Sequence, residues 1–101
     1  MNHHIEDDNV KFFRKFLKSM HIQNQRYGNE ILLDDGFNFI CHTRNNIFNI
    51  EMMSPNNELL KTFDFEFNYG IEGFSRFKVT QLLNFYNTLL YHRNYDNYNI
   101  T

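Results

Sequence analysis

Residues 61–70, KTFDFEFNYG, alternate phenylalanine with polar and acidic side chains. Successive side chains of a β-strand point to opposite faces of its sheet, so this alternation predicts a strand with two unlike faces. One face carries Phe63, Phe65 and Phe67, and the other carries Asp64 and Glu66. The remaining chain must cover the phenylalanines, whereas the acidic face is either solvated surface or a binding surface.

Two amphipathic segments are predicted to supply that cover. Residues 7–22, DDNVKFFRKFLKSMHI, have apolar positions at helical spacing and an acidic N-cap, Asp7 or Asp8. Residues 75–93, SRFKVTQLLNFYNTLLYHR, have the same spacing and predict a second helix. Both helices need an apolar surface to pack on, and one face of a sheet provides it.

Four strands are predicted between the helices, because apolar runs are separated by turn residues. Asp35-Gly36 is the strongest hairpin signal, Asn45-Asn46 suits a second tight turn, and SPNN at 54–57 suits a third. The segment 23–29, QNQRYGN, is predicted as a break, and 74–79 as an alternative site for a short fifth strand.

The predicted fold is therefore a two-layer α+β domain of order α-β-β-β-β-α, with an antiparallel meander covered on one face. A chain of 101 residues fits a single domain, 1–101. We expect loose termini at about 1–5 and 94–101, since the tail is rich in Asn and Tyr.

Turn lengths predict the register of the sheet. Two-residue loops at Asp35-Gly36 and Asn45-Asn46 pair Leu32 with Phe39 and Cys41 with Ile50, and a four-residue turn at 54–57 pairs Phe48 with Phe63. The helix-covered face is then predicted to carry Leu32, Phe37, Phe39, Cys41, Phe48, Ile50, Met52, Phe63, Phe65 and Phe67.

The opposite face is predicted to mix large aliphatic side chains with polar ones. A freely solvated face usually has fewer aliphatics, and an apolar patch with a polar rim is typical of an interface. We expect this face to bind a partner protein, or a second copy of the chain. The expected partner-binding residues are Ile31, Ile40, Ile47, Glu51, Met53, Leu60, Asp64 and Glu66. The alternative is that these aliphatics are scattered, or are covered by residues 23–29 or the tail.

A basic side of the first helix gives a second hypothesis. Its members recur at helical spacing: Lys11, Arg14, Lys15 and Lys18. With tail aromatics Tyr91, Tyr95 and Tyr98 beside Arg93, they favour nucleic-acid binding. The alternative is a solvated helix face followed by a fraying tail. The net charge of −2 supports neither a DNA mimic nor a general nucleic-acid binder.

The chain lacks recognisable signals for catalysis, cofactors or metals. Cys41 and His42 are strand neighbours that point to opposite faces, so His42 is not placed to activate the thiol. The five histidines have no zinc-ligand spacing. We expect a protein without cofactor or metal that is not an enzyme.

The composition also predicts where the protein is located and what kind of genome encodes it. A single cysteine, no signal peptide and no long apolar run predict a cytoplasmic protein. Asn, Phe, Tyr, Ile, Met and Lys outnumber Gly, Ala, Arg and Pro, which reflects A/T-rich codons. Together with the short length, this favours a phage- or virus-encoded or mobile-element inhibitor of a host protein, of the counter-defence or anti-CRISPR-like kind, acting in the host cytoplasm.

Overall fold

A computed structural model describes residues 3–68, 70, 71 and 73–100 of the chain, with the side chains of 3, 73, 74 and 96–100 left out of the description. This part forms two helices and one sheet whose five strands are hydrogen-bonded in sequence order, β1-β2-β3-β4-β5, all antiparallel. The elements are α1 (His3–Ser19), β1 (Asn24–Tyr27), β2 (Glu30–Leu33), β3 (Asn38–Arg44), β4 (Ile47–Met53), β5 (Leu59–Glu66), a 3-10 turn (Gly73–Arg76) and α2 (Val79–Ile100). The predicted α+β class is confirmed, and the predicted number of strands is one too few.

Helix α1 ends earlier than the apolar spacing predicts, because its last turn is closed by a Schellman motif. The Ile22 amide donates to the Leu17 carbonyl at 2.9 Å and the His21 amide to the Lys18 carbonyl at 2.9 Å. His21 has a φ of 60°, the left-handed conformation that this motif requires. Ile22 is buried beyond the helix end, so it serves the core as a loop residue.

The missed strand is β1, within the segment that the sequence analysis treats as a break. It pairs with β2 through a two-residue turn at Gly28 and Asn29. Its inward side chains contact α1 through polar groups, since Asn24 accepts from Arg14 Nε at 2.7 Å and Arg26 lies 2.7 Å from Asp7. A strand held this way lacks the apolar alternation on which strand prediction depends.

The alternative fifth strand at 74–79 is not formed. Within this segment the structure has the 3-10 turn and one isolated bridge, between Phe67 and Phe77. Arg76 is buried here, donating to Asn9 Oδ1 at 2.6 Å and to the Ile71 carbonyl at 3.1 Å. These bonds fasten the connection between β5 and α2 to α1.

The turn between β2 and β3 has three residues, and this reverses the predicted faces of β2. The Leu33 amide donates to the Phe37 carbonyl at 2.8 Å, and Gly36 takes the left-handed position with a φ of 98°. Ile31 therefore pairs with Phe39, and the predicted pair of Leu32 with Phe39 is wrong. Because side chains alternate, one extra loop residue moves Ile31 and Leu33 into the core and turns Leu32 outward.

The β3–β4 and β4–β5 turns leave the phenylalanines and Cys41 on the faces of the sheet where the sequence predicts them. Cys41 pairs with Ile50 as predicted. Phe48 pairs with Phe65 instead of Phe63, a shift of two residues, which leaves each phenylalanine on its predicted face. A bulge lies between Met52 and Met53, where β5 has the additional residue Leu60, and Leu60 packs against the core.

Phenylalanine rings join the helices to the covered face of the sheet. Phe13 of α1 and Phe85 of α2 have ring centroids 4.9 Å apart at 85°, and both are fully buried. Of the ten predicted core residues, nine are buried, and Leu32 is the exception.

Helix α2 continues through 94–100, where the sequence predicts a loose tail, and α1 already begins at His3. Just before this part of α2, Arg93 contacts the sheet, because its Nε lies 2.6 Å from Asp35 in the β2–β3 turn. The outermost predicted termini, residues 1, 2 and 101, lie outside the described residues.

The reversed faces of β2 give a matched test with two adjacent leucines. We expect Leu33→Ala to lower the free energy of unfolding by about 2–5 kcal/mol, because it leaves a core cavity. Leu32→Ala should cost less than about 1 kcal/mol, since Leu32 faces outward. Urea denaturation measures both, and a larger loss for Leu32→Ala would contradict the observed register.

Candidate functional site

The outer face is the sheet surface turned away from both helices. Residues paired across strands share a face, so the pairings define four rows on it. These rows are Tyr27-Glu30-Ile40-Glu51-Thr62, Gln25-Leu32-Asn38-Met53-Leu59, His42-Asn49-Asp64 and Arg44-Ile47-Glu66. All of these residues except Asn38 are exposed or half-buried, so the described part of the chain leaves this face uncovered.

The middle of the outer face forms an open depression of about 710 Å³. Ile40 and Ile47 provide its apolar floor, and both are half-buried. Polar side chains surround them, namely Asn29, His42, Arg44, Asn45, Asn49, Glu51 and Asp64. An apolar centre with a polar rim is the layout of a protein interface.

The charges on this face differ in how they are satisfied. Asp64 accepts from Asn49 at 2.8 Å, and Glu66 pairs with Lys78 at 2.9 Å. The side chains of Glu30, Glu51 and Arg44 make neither a hydrogen bond nor an ion pair with any described residue. Glu30 and Glu51 both pair with Ile40 across the strands, so two unpaired carboxylates flank the apolar floor.

The structure brings together half of the predicted partner-binding residues. Ile40, Ile47, Glu51 and Asp64 line the depression. Met53 lies in the next row, half-buried, and Glu66 lies in the last row beside a second depression of about 360 Å³.

Two predicted positions are wrong. Ile31 is fully buried on the covered face because of the three-residue turn, and Leu60 packs against the core because of the bulge. Neither side chain is available to a partner on the outer face.

Sequence reasoning missed several residues of this surface, including Glu30 and Leu32 of β2 and two turn residues. Leu32 was assigned to the core through the turn length, and it lies half-buried on the outer face. Asn29 and Asn45 are turn residues that reach the depression from its ends. The Gly28-Asn29 dipeptide is itself a hairpin signal, which would have placed Asn29 at the sheet end.

The free edges of the sheet are partly closed by side chains. Gln81 of α2 imitates a neighbouring strand: its Nε2 donates to the Asp64 carbonyl at 3.1 Å and its Oε1 accepts from the Glu66 amide at 3.0 Å. Glu6 of α1 accepts from the Thr43 amide at 3.2 Å, where β3 extends past β2. These contacts oppose strand addition at the two places, which leaves the face as the larger available surface.

The predicted basic residues also converge. Lys11, Arg14, Lys15 and Lys18 line a depression of about 230 Å³ together with Asn24 and Arg26. Arg14 and Arg26 are engaged by Asn24 and Asp7. The three lysines are exposed, and none has a carboxylate partner among the described residues. Lys11 and Lys15 lie 5.8 Å and 5.1 Å from the Phe12 ring.

The aromatic tail residues are not gathered at the basic depression. Tyr91 and Tyr95 stack with centroids 6.1 Å apart on exposed α2, while Arg93 is held by Asp35. The side chain of Tyr98 lies outside the described ones.

The predicted burial of Cys41 is confirmed, and it determines the chemistry of the thiol. Burial raises the pKa of Cys41 to about 12, so the thiol stays protonated at neutral pH. Its neighbour His42 projects from the opposite face, with Nδ1 3.7 Å from Glu6. Among the described side chains, no three His, Cys, Asp or Glu groups converge as metal ligands would.

Comparison of the chain with family models, with curated proteins and with solved structures gives no match. Neither described helix is long and apolar enough to cross a membrane.

Proposed function

We propose that this chain is a non-enzymatic protein-interaction module that binds a partner protein through the outer face of its sheet. The carrying observation is the uncovered depression, in which Ile40 and Ile47 are surrounded by polar side chains. Burying the remaining exposed surface of these two isoleucines would stabilise a complex by about 25 cal/mol for each Å² of apolar surface.

The unpaired charges indicate the chemistry of the partner. Glu30 and Glu51 flank Ile40, and Asp64 and Glu66 add to the acidic side of the same face. Burying unpaired carboxylates is costly unless the partner supplies cations. The complementary surface is therefore an apolar protrusion edged by lysine or arginine side chains, with one acidic group for Arg44.

The size of the face is also suitable for a single partner. Five strands span about 24 Å, and their lengths average about 20 Å. These dimensions give a flat area of about 480 Å². A protein interface of standard size takes about 800 Å² from each partner, so such a contact would occupy the whole face and extend past its edges. Binding there would block the corresponding surface of the partner.

In its specific form, the proposal is an inhibitor from a phage, virus or mobile element that occupies a host protein in the host cytoplasm. The A/T-rich coding bias and the short chain support this form. A purely blocking role requires no catalytic group, which accords with the protonated Cys41 and the hydrogen-bonded Asp64 and Glu66.

Ile40→Asp tests this function, with Ile71→Asp as the matched control. Ile71 is 40% exposed in the connection after β5, away from the outer face. We expect the wild type and Ile71→Asp to capture the same protein from a lysate of the host, and Ile40→Asp to lose it. With the captured protein purified, calorimetry should give a dissociation constant raised at least about thirtyfold by Ile40→Asp, because a buried carboxylate replaces an interface centre.

Thermal unfolding of all three proteins tests whether Ile40→Asp remains folded. Equal affinity of Ile40→Asp and the wild type would remove the outer face from the proposal. Equal loss in both variants would assign the effect to a general disturbance of the fold.

A second candidate function is nucleic-acid binding, and the gathering of Lys11, Lys15 and Lys18 around one depression favours it. Ammonium groups without carboxylate partners attract phosphates and release condensed counterions. Three such contacts would span only a short stretch of the nucleic-acid backbone. Because they are made to phosphates, they would give little sequence preference.

Salt titration tests this second candidate. If all three lysines contact phosphates of duplex DNA, log affinity should fall with log salt concentration with a slope of about −3. Lys15→Gln should reduce the slope by about one, whereas Lys61→Gln, a control on β5, should leave it unchanged. Fluorescence anisotropy with single- and double-stranded probes measures this, and no binding of either probe at low salt would dismiss the candidate.

A further inference from the structure

Helix α2 exposes more large apolar side chains than any other element in the described part of the chain. Seven large apolar side chains are exposed in the described part of the chain, and four belong to α2: Val79, Leu83, Tyr91 and Tyr95. The opposite side of the helix is already satisfied, because Leu82, Phe85 and Leu89 are buried in the core. A helix that is apolar on both sides has a second surface to cover.

The exposed side of α2 also lacks charge. From Val79 to His92 the sequence contains no Asp, Glu, Lys or Arg. The exposed side of α1, by contrast, carries Lys11, Lys15 and Lys18. Depletion of charged residues distinguishes the centre of an interface from ordinary surface.

Four of the α2 side chains form a continuous ridge, which we call the α2 ridge: Val79, Leu83, Tyr86 and Leu90. At 3.6 residues per turn these positions fall within an arc of about 60° and extend over about 16 Å. Val79 and Leu83 are 60% and 47% exposed. Tyr86 and Leu90 are half-buried, and Tyr86 also packs against the core, so the ridge adjoins the buried side of the helix. Successive spacings of four, three and four residues are those of a helix that packs along another helix.

The geometry points to a second copy of this chain as the occupant, with the two α2 helices packed antiparallel through the α2 ridge. The spacing of four, three and four is the same in both directions, so an antiparallel copy faces the ridge in register. Val79 then lies opposite Leu90 of the other copy, and Leu83 lies opposite Tyr86. A two-fold axis through the middle of the ridge makes both sets of contacts identical.

The distribution of charge favours self-association through the α2 ridge over self-association through the outer face. Two outer faces in contact would bring together the unpaired carboxylates Glu30 and Glu51 of both copies, and like charges oppose such a contact. Two copies of the uncharged α2 ridge would meet without this electrostatic repulsion. The outer face then remains available for a different partner in each copy.

Mass measurement across concentration is the first test. Sedimentation velocity from about 10 to about 500 µM should show the wild type moving from 12.4 kDa towards twice that mass. Leu83→Glu should raise the dissociation constant at least about tenfold, because it places a carboxylate in the centre of the contact. Ile71→Glu, a change at an exposed aliphatic residue in the connection after β5, should leave the constant unchanged.

Val79→Glu provides a second variant that the fold tolerates well, since an acid suits the first turn of a helix. It should weaken the dimer in the same direction as Leu83→Glu. A wild type that stays monomeric over the whole range would overturn the inference, and a helix of another protein or a lipid surface would become the occupant to examine. A dimer that neither Glu variant weakens would equally overturn it.

Crosslinking tests the antiparallel register. A short bismaleimide should join Val79→Cys protein to Leu90→Cys protein when the two are mixed. Val79→Cys alone should not crosslink, because the two copies of that position lie about 16 Å apart along the helices. Crosslinking of Val79→Cys with itself, and none in the mixture, would contradict the register. Native Cys41 is fully buried and does not interfere.

Discussion

The contact between Phe13 of α1 and Phe85 of α2 determines where both helices lie. Their rings meet edge to face at 4.9 Å, and each also packs on the ring of Phe39 of β3, at 6.3 Å and 4.9 Å. Two helices that share one ring cluster must lie over the same face of the sheet. The uncovered outer face is a consequence of this arrangement, and so is the outward side of α2.

Much of this arrangement is predictable because it depends on side-chain alternation. Phe63, Phe65 and Phe67 lie on the covered face even though β5 is shifted by two residues, since such a shift preserves the face. Ile31 was misplaced because a single additional turn residue reverses a whole strand. Strand β1 was missed because polar contacts to α1, such as Arg14 to Asn24, replace the apolar pattern.

Prediction of the candidate site also depends on side-chain alternation. Ile40, Ile47, Glu51 and Asp64 were predicted from β3, β4 and β5, whose faces the turn residues determine correctly. The parts contributed by β2 and by the turns require the real loop conformations, which short sequence signals do not distinguish. The α2 ridge is hidden in the sequence, because Leu83, Tyr86 and Leu90 look like part of one core stripe until Leu82, Phe85 and Leu89 are seen to fill the core. The two surfaces differ in charge, so they suit different partners.

The energetic coupling between Phe13 and Phe85 shows whether these rings join the two helices. Urea denaturation of the wild type, Phe13→Leu, Phe85→Leu and the double variant gives a double-mutant cycle. If these rings join the two helices over one face, the double variant should lose less free energy of unfolding than the sum of the single losses, by about 0.5–1.5 kcal/mol. Strictly additive losses would mean that the rings do not interact, and the shared placement of α1 and α2 over one face would then be wrong.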